Sequence, residues 1–201
     1  MSLDYVVERG FRPDHRVEAA RLYWAAFSGK LDRVMGPDKT ALAFLANVLD
    51  PNFAFSAVTH DNRLLGIAGF KTKAGAFVGG DFKTLADVYG WFGASWRGLL
   101  LHLIERDLRP ELLLMDGIFV DEAARGAGVG STLLREIVGE AQRRSLQGVR
   151  LDVIDSNSRA RALYEREGFK PVSTSIMGPL RPIFGFKSST TMIRRVPVAD
   201  G

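Results

Sequence analysis

The sequence predicts an α/β fold: a mixed, mostly antiparallel central sheet with one parallel strand pair and helices on both faces. Three observations carry this reading. Residues 112–141 and 149–168 are two consecutive strand-loop-helix units, which require neighbouring parallel strands joined by a right-handed crossover. The strand-like runs 53–59 and 64–71 are separated by His60, Asp61, Asn62 and Arg63, as in an antiparallel hairpin. A second pair of runs, 172–177 and 186–196, closes around the loop 178–185, which holds Pro179, Arg181 and Pro182.

Taken in order, Tyr5 to Glu8 reads as a short first strand. Pro13 and Asp14 then open a helix with Val17, Ala20, Trp24 and Phe27 along one face and Gly29 as its stop. Residues 31–36 read as a loop, after which Pro37 and Asp38 start a second helix whose Leu42, Leu45 and Leu49 face inward until Asp50-Pro51 ends it. The hairpin follows. From 74 to 111 a glycine-rich connection leads into two apolar-periodic segments, Phe82 to Phe92 and Trp96 to Ile104. A link of that length is not structureless, so a helical hairpin insertion is expected there. Extra core, a substrate wall and a dimer contact are all open as its role, since two tryptophans on a peripheral hairpin are much apolar area to expose. The whole reads as one domain over 1–196 with a frayed tail at 197–201.

Composition narrows the function classes. With 201 residues, 46% of them hydrophobic, the chain can bury one good-sized core. It has no cysteine, which excludes disulfides and thiol catalysis and is compatible with a reducing cytoplasm. The net charge of +4 and pI near 9.6 come from arginines scattered along the chain, a balance that suits an anionic cofactor better than nucleic acid. The N-terminus lacks a signal-peptide core and no apolar run reaches membrane-spanning length, so neither a leader nor a membrane partner is expected.

The stretch from Leu112 to Ser131 carries the chemistry. The apolar strand is interrupted by one acid, Asp116, and ends in Ile118-Phe119-Val120. After Asp121 and Glu122 comes Arg125-Gly126-Ala127-Gly128-Val129-Gly130, and then a helix with Leu133, Leu134, Ile137, Val138 and Ala141 at helical spacing. The glycines therefore sit at a helix start, where bare backbone, unpaired amides and the positive dipole end favour phosphate oxygens. Arg125 adds a cation. Tight helix packing is the alternative use of the same glycines, and the pattern matches neither a nucleotide P-loop nor a full dinucleotide fingerprint.

Arg125-Gly-Ala-Gly-Val-Gly130 after such a strand resembles the Arg/Gln-x-x-Gly-x-Gly/Ala signature of the GNAT superfamily of acyl-CoA-dependent N-acyltransferases. Asn157-Ser-Arg-Ala-Arg-Ala-Leu-Tyr164-Glu-Arg-Glu-Gly168-Phe169 resembles the motif that follows it in that family. Two motifs in order are far more specific than one. The resemblance implies a GNAT-like sheet whose parallel pair splays, with a bulge on the strand before the loop. It implies acetyl-CoA as co-substrate, its pyrophosphate on the backbone of Arg125, Gly126, Ala127, Gly128, Val129, Gly130 and Ser131, and its pantetheine arm along Ile118, Phe119 and Val120. Asn157 matches the family's cofactor-bonding asparagine and is equally suited to cap a helix. Tyr164 matches the usual thiolate proton donor, its other role being an aromatic packed beside Leu163.

The implied chemistry is direct attack of a primary amine on the thioester, which needs a base as well as an acid. Asp116 and Asp152 both interrupt apolar strands, where burial raises a carboxylate's proton affinity, and each is otherwise a structural acid paired with an arginine or with amides. Asp116 is the first choice because it precedes the cofactor-binding backbone. His15, His60 and His102 have no metal-ligand spacing, so no metal is expected. Three function classes follow: a cytoplasmic N-acetyltransferase acting on a small-molecule or peptide amine, a coenzyme A-binding regulatory module without transfer, and a basic nucleic-acid-associated protein whose glycine loop is structural. The first leads, with no nucleic-acid partner and a homodimer as a possible assembly. Phe27, Trp91, Trp96, Arg181 and Phe184 are the candidates for the acceptor wall.

Overall fold

The computed structural model describes residues 3–35, 38–79, 87, 109–178 and 185–197. In chain order these residues form β1 (Tyr5–Arg9), α1 (Arg16–Met35), α2 (Asp38–Val48), β2 (Ala54–Thr59), β3 (Leu64–Thr72) and the short β4 (Gly75–Ala76). Then come β5 (Leu112–Val120), α3 (Val129–Arg143), β6 (Gly148–Ile154), α4 (Ser158–Arg166), β7 (Lys170–Ile176) and β8 (Ser188–Arg195). The eight strands make one sheet in the order β1-β2-β3-β5-β6-β8-β7, with β4 paired to β3. Only β5 and β6 run parallel. The mixed sheet with one parallel pair is the fold class the two strand-loop-helix units predict.

The two faces of the sheet hold separate apolar layers. On one, Leu133, Leu134 and Ile137 of α3 are fully buried against Leu65, Phe70, Leu113 and Leu151. Each such side chain contributes about 1.5–3 kcal/mol by leaving water. Gly66 lets α3 sit close, since a Cβ there would lie 3.2 Å from Val129 Cγ1 and 3.3 Å from Leu133 Cδ1. On the other face, Ala20 and Trp24 of α1 and Phe44 and Leu45 of α2 pack with Ile67, Phe77 and Phe119. Gly69 makes room there for Phe77, whose Cδ1 would be 2.3 Å from a Cβ.

Two expectations for α1 are corrected. The helix does not stop at Gly29 but runs to Met35, through the residues read as a loop. One interior glycine costs only about 1 kcal/mol relative to alanine, too little to end a helix of this length. Val17 is exposed and not inward, because the buried stripe of α1 is centred on Ala19, Ala20 and Trp24. Most of the expected helical insertion lies outside the described residues; of its start, Gly75 and Ala76 form β4 and Val78 bridges to Leu49.

A buried carboxylate fastens α3 to the edge of the sheet. Glu140, 2% exposed, accepts two hydrogen bonds from Arg9 of β1 at 2.7 and 2.9 Å, one from Arg143 Nε at 3.1 Å and one from Arg144 Nε at 2.7 Å. Burial pushes its carboxyl up, but the three guanidiniums outweigh burial and hold it down at about 2. Among the described residues no helix is long and apolar enough to cross a membrane.

Candidate functional site

The site begins where the parallel pair comes apart. β5 and β6 pair only through Leu112, Leu113 and Leu114 opposite Gly148, Val149 and Arg150. Beyond that level β5 stays on β3 and β6 stays on β8, so the two strands diverge. A bulge sits at the same place: Gly69 opposes Gly117 and Phe70 opposes Met115, which leaves Asp116 as the extra residue. A bulge bends its strand and increases the local twist, turning β5 away from β6.

The bulge also switches which side chains face which layer. Before it, Leu113 and Met115 point into the α3 layer; after it, Ile118 and Val120 do, and Phe119 joins the α1 layer. The Phe119 ring lies 6.3 Å from Phe77 and 5.0 Å from Tyr23, so that side chain belongs to the core. The Asp121 amide donates to the Leu65 carbonyl at 2.9 Å. By alternation along an antiparallel ladder, Phe119 turns its backbone groups to β3, while Ile118 and Val120 turn theirs to the opening.

The glycine loop follows directly. Asp121 accepts from the Ala123 amide at 2.7 Å and is held by Arg63 at 3.2 Å, fixing the turn Glu122–Ala124 that leads into the loop. Gly126 and Gly128 adopt the left-handed backbone, at φ +90 and +84, and a Cβ on either would meet nothing within 4 Å. The space over them is open. Gly128 precedes the first turn of α3 and brings no capping side chain, so helix geometry leaves the amides of Val129, Gly130 and Ser131 without intrahelical acceptors. These amides and the positive dipole end point where an anion fits, with Ala127 on the rim. Gly130 serves packing instead, its Cβ position being 3.3 Å from Leu163 Cδ2 of α4. The glycines thus divide: Gly130 is packed against α4, while Gly126 and Gly128 face open space.

Two loop side chains already have partners. Arg125 Nε donates to the Val120 carbonyl and its Nη1 to Glu122, each at 3.4 Å. The Ser131 side chain lies by the Glu167 carboxylate. Burial pushes the Glu167 carboxyl up, while Arg135 and Ser131 more than offset this and hold it below the ordinary range. On the next unit, Asn157 caps α4 by accepting from the Ala160 amide at 3.1 Å. Tyr164 is buried in the α3 layer with its ring 6.0 Å from Phe169.

Asp152 lies on the β6 arm of the opening. It alternates with Leu151 and Val153, which face α3, and so it faces the α1 side of the sheet. Thr191 of β8 donates to its Oδ1, and Arg150 Nη2 is 3.6 Å from its Oδ2. Both members of that ion pair are largely buried, at 16% and 7% side-chain exposure. Asp116 and Asp152 each stand two residues past the last paired level, Leu114 opposite Arg150, so the two carboxylates occupy matching steps on the two arms. Arg150 was within reach of a strand-period reading, two residues before Asp152. Thr191 was not, because its place depends on the register of a distant strand.

Of the wall candidates, Trp91, Trp96, Arg181 and Phe184 lie outside the described residues, as does His102, and Phe27 lies on α1 at a position whose side chain is not described. His15 is buried with Nε2 3.0 Å from the Asn62 carbonyl. Among the described residues no group of three or more His, Asp or Glu could hold a metal ion.

The geometry agrees with what the comparisons show. The chain shares its fold with a GCN5-related N-acetyltransferase from Kribbella flavida, at TM-score 0.64 and 17% identity, covering 96% of this chain and 98% of that one. An N-acetyltransferase from Staphylococcus aureus Mu50 is similar at TM-score 0.65 and 13% identity, over 94% and 100% of the two chains. Arabidopsis thaliana NAA60, solved with a bisubstrate analogue, is similar at TM-score 0.62 and 17% identity, over 97% and 99%. No curated protein matches the chain. The sequence model of the acetyltransferase (GNAT) family matches residues 16–169, most of the chain and all of the diverging pair, glycine loop and α4. The chain belongs to the acetyltransferase (GNAT) family, whose members use acetyl-CoA.

Proposed function

We propose that the protein transfers the acetyl group of acetyl-CoA to a primary amine of a small molecule or peptide by direct attack. One observation carries the reading: the opening between β5 and β6, the backbone edge of Ile118 and Val120 turned towards it, and the open backbone at Gly126 and Gly128 follow one another along the chain as one track. A thioester at the divergence, an amide-bearing arm along Ile118 and Val120, and a pyrophosphate over the amides of Val129, Gly130 and Ser131 fit that track in order. Arg125 stands beside the phosphate end.

In this reading Asp116, in the bulge, removes a proton from the acceptor ammonium directly or through water. The amine nitrogen then attacks the thioester carbonyl carbon, the C–N bond forms, and the C–S bond breaks. Tyr164, approaching from the α3 layer, gives its phenolic proton to the departing thiolate and is reprotonated through water by the second proton, which the acylated nitrogen sheds as the C–S bond breaks. Asp152, bonded by Thr191 and paired with Arg150, is the second candidate base; Asp116 comes first because it precedes the backbone that would hold the cofactor. A cytoplasmic location and a single catalytic domain over 1–196 go with this proposal.

Calorimetry with acetyl-CoA tests the cofactor half, and release of free thiol across a broad amine panel tests the transfer. Absence of measurable acetyl-CoA affinity, or affinity unchanged by Gly128→Asp, would overturn the reading. Tight binding without turnover on any amine would leave a coenzyme A-binding regulatory module in its place.

A further inference from the structure

The sheet beyond β6 has a chemical character that the acetyl-CoA track does not use. Directly opposed residues of antiparallel strands share a face. The register therefore lays out Asp152, Thr191 and Ser173 as one row across β6, β8 and β7, and Ile154, Ser189 and Ser175 as the next. Five of these six side chains are hydroxyls or a carboxylate. On the opposite face of the same strands, Leu151, Val153 and Met192 are buried in the α3 layer, beside the paired hydroxyls of Thr190 and Thr174.

The polar rows lie on the α1 side, and among the described residues the apolar layer under α1 and α2 ends at Phe119 of β5. Every residue of β7 is exposed. With strands about 4.8 Å apart, the row from Asp152 to Ser173 spans about 10 Å, the width of one or two six-membered rings. It starts at the arm of the opening where the thioester carbonyl would lie. An acceptor whose amine reaches the divergence from the α1 side has these rows within reach of the rest of its body.

Resting on the acetyltransfer reading above, we propose that the acceptor is a small polyhydroxylated amine, of the amino sugar or aminocyclitol type, seated over the α1-side face of β6, β8 and β7. Its ring hydroxyls exchange hydrogen bonds with Ser189, Ser175 and Ser173, each side chain able to donate and accept. Asp152, held by Thr191 and Arg150, takes a hydroxyl or a second ammonium. An apolar amine would strip water from the same hydroxyls and return nothing, and a site built to bond a ligand's hydroxyls rejects the analogue that lacks them.

The test uses the full chain with acetyl-CoA in a thiol-release assay. Glucosamine and an aminocyclitol are compared with cyclohexylamine, phenethylamine and a short peptide with a free N-terminus. The proposal expects kcat/KM at least 100-fold higher for the polyhydroxylated amines than for cyclohexylamine. Ser189→Ala and Ser175→Ala are expected to raise the acceptor KM three- to tenfold each while leaving the acetyl-CoA KM within twofold. Preference for the peptide or for an apolar amine, or an acceptor KM that neither serine variant moves, would overturn the acceptor class yet leave acetyltransfer standing. Failure of acetyl-CoA to bind in calorimetry would remove both.

Discussion

Replacing Glu140 by glutamine isolates the effect of one buried charge. The wild-type carboxylate is 2% exposed and bonded to Arg9, Arg143 and Arg144. Its pKa of about 2 against an ordinary 4.5 corresponds to about 3 kcal/mol of extra native-state stability when the group is ionised. The folded pKa is the depressed one, so this stability is fully present above about pH 4.5 and disappears as pH falls towards 2. Glu140→Gln keeps the shape and one acceptor but leaves three guanidiniums facing a neutral amide. Urea denaturation at a series of pH values is the assay. At pH 7 the variant is expected to lose about 3 kcal/mol, or about 6–12 °C in Tm for a chain of this size. The gap should close steadily below pH 4.5, because protonation then does to the wild type what the substitution does to the variant. Acetyl-CoA affinity at a temperature where both are folded should not change, since Glu140 lies near the far end of α3 from the glycine loop. A gap independent of pH, or smaller than about 1 kcal/mol at pH 7, would refute the argument that the three arginines outweigh burial.

Other expectations concern the site itself. Gly128→Ala forces a side chain into left-handed backbone and into the open space over the loop; it should cost about 1–2 kcal/mol of stability and weaken acetyl-CoA binding at least tenfold by calorimetry. Gly130→Ala meets Leu163 at 3.3 Å and Val120 Cγ2 at an ordinary 3.8 Å, and should change affinity less than threefold. Tyr164→Phe should lower kcat by about 10²-fold or more with acetyl-CoA affinity nearly constant, as loss of a general acid does; equal losses in both would make Tyr164 a packing residue only. Asp116→Asn should alter the pH dependence of kcat/KM more than Asp152→Asn does, and the reverse order would transfer the role of base to Asp152.

Much of this protein was legible in the chain because the deciding interactions are local. Apolar periodicity placed β5 and β6 within a residue of where they lie and α3 within about two, and the alternation of the runs 53–59 and 64–71 with four polar residues between them made the hairpin. Glycine conformation is a local property too, so Gly126 and Gly128 could be recognised as bare backbone at a helix start. Local rules failed where packing outweighed them: Gly29 was too weak a stop for α1, and Val17 fell outside the buried stripe.

What the sequence determined by itself was the order of elements, the parallel pair, the glycine loop and the two carboxylates in apolar strands. Tertiary structure decided the rest, since register between strands far apart in the chain is not encoded in either strand alone. Only the pairing with β3 makes Asp116 the bulged residue, and only that bulge turns Ile118 and Val120 to the α3 layer and Phe119 to the α1 layer. Only β8 brings Thr191 to Asp152, and only the separation of packing from openness tells Gly130 from Gly126 and Gly128. The reason is physical: a strand's period of two fixes which residues share a face, but a one-residue shift in a partner reverses which face that is.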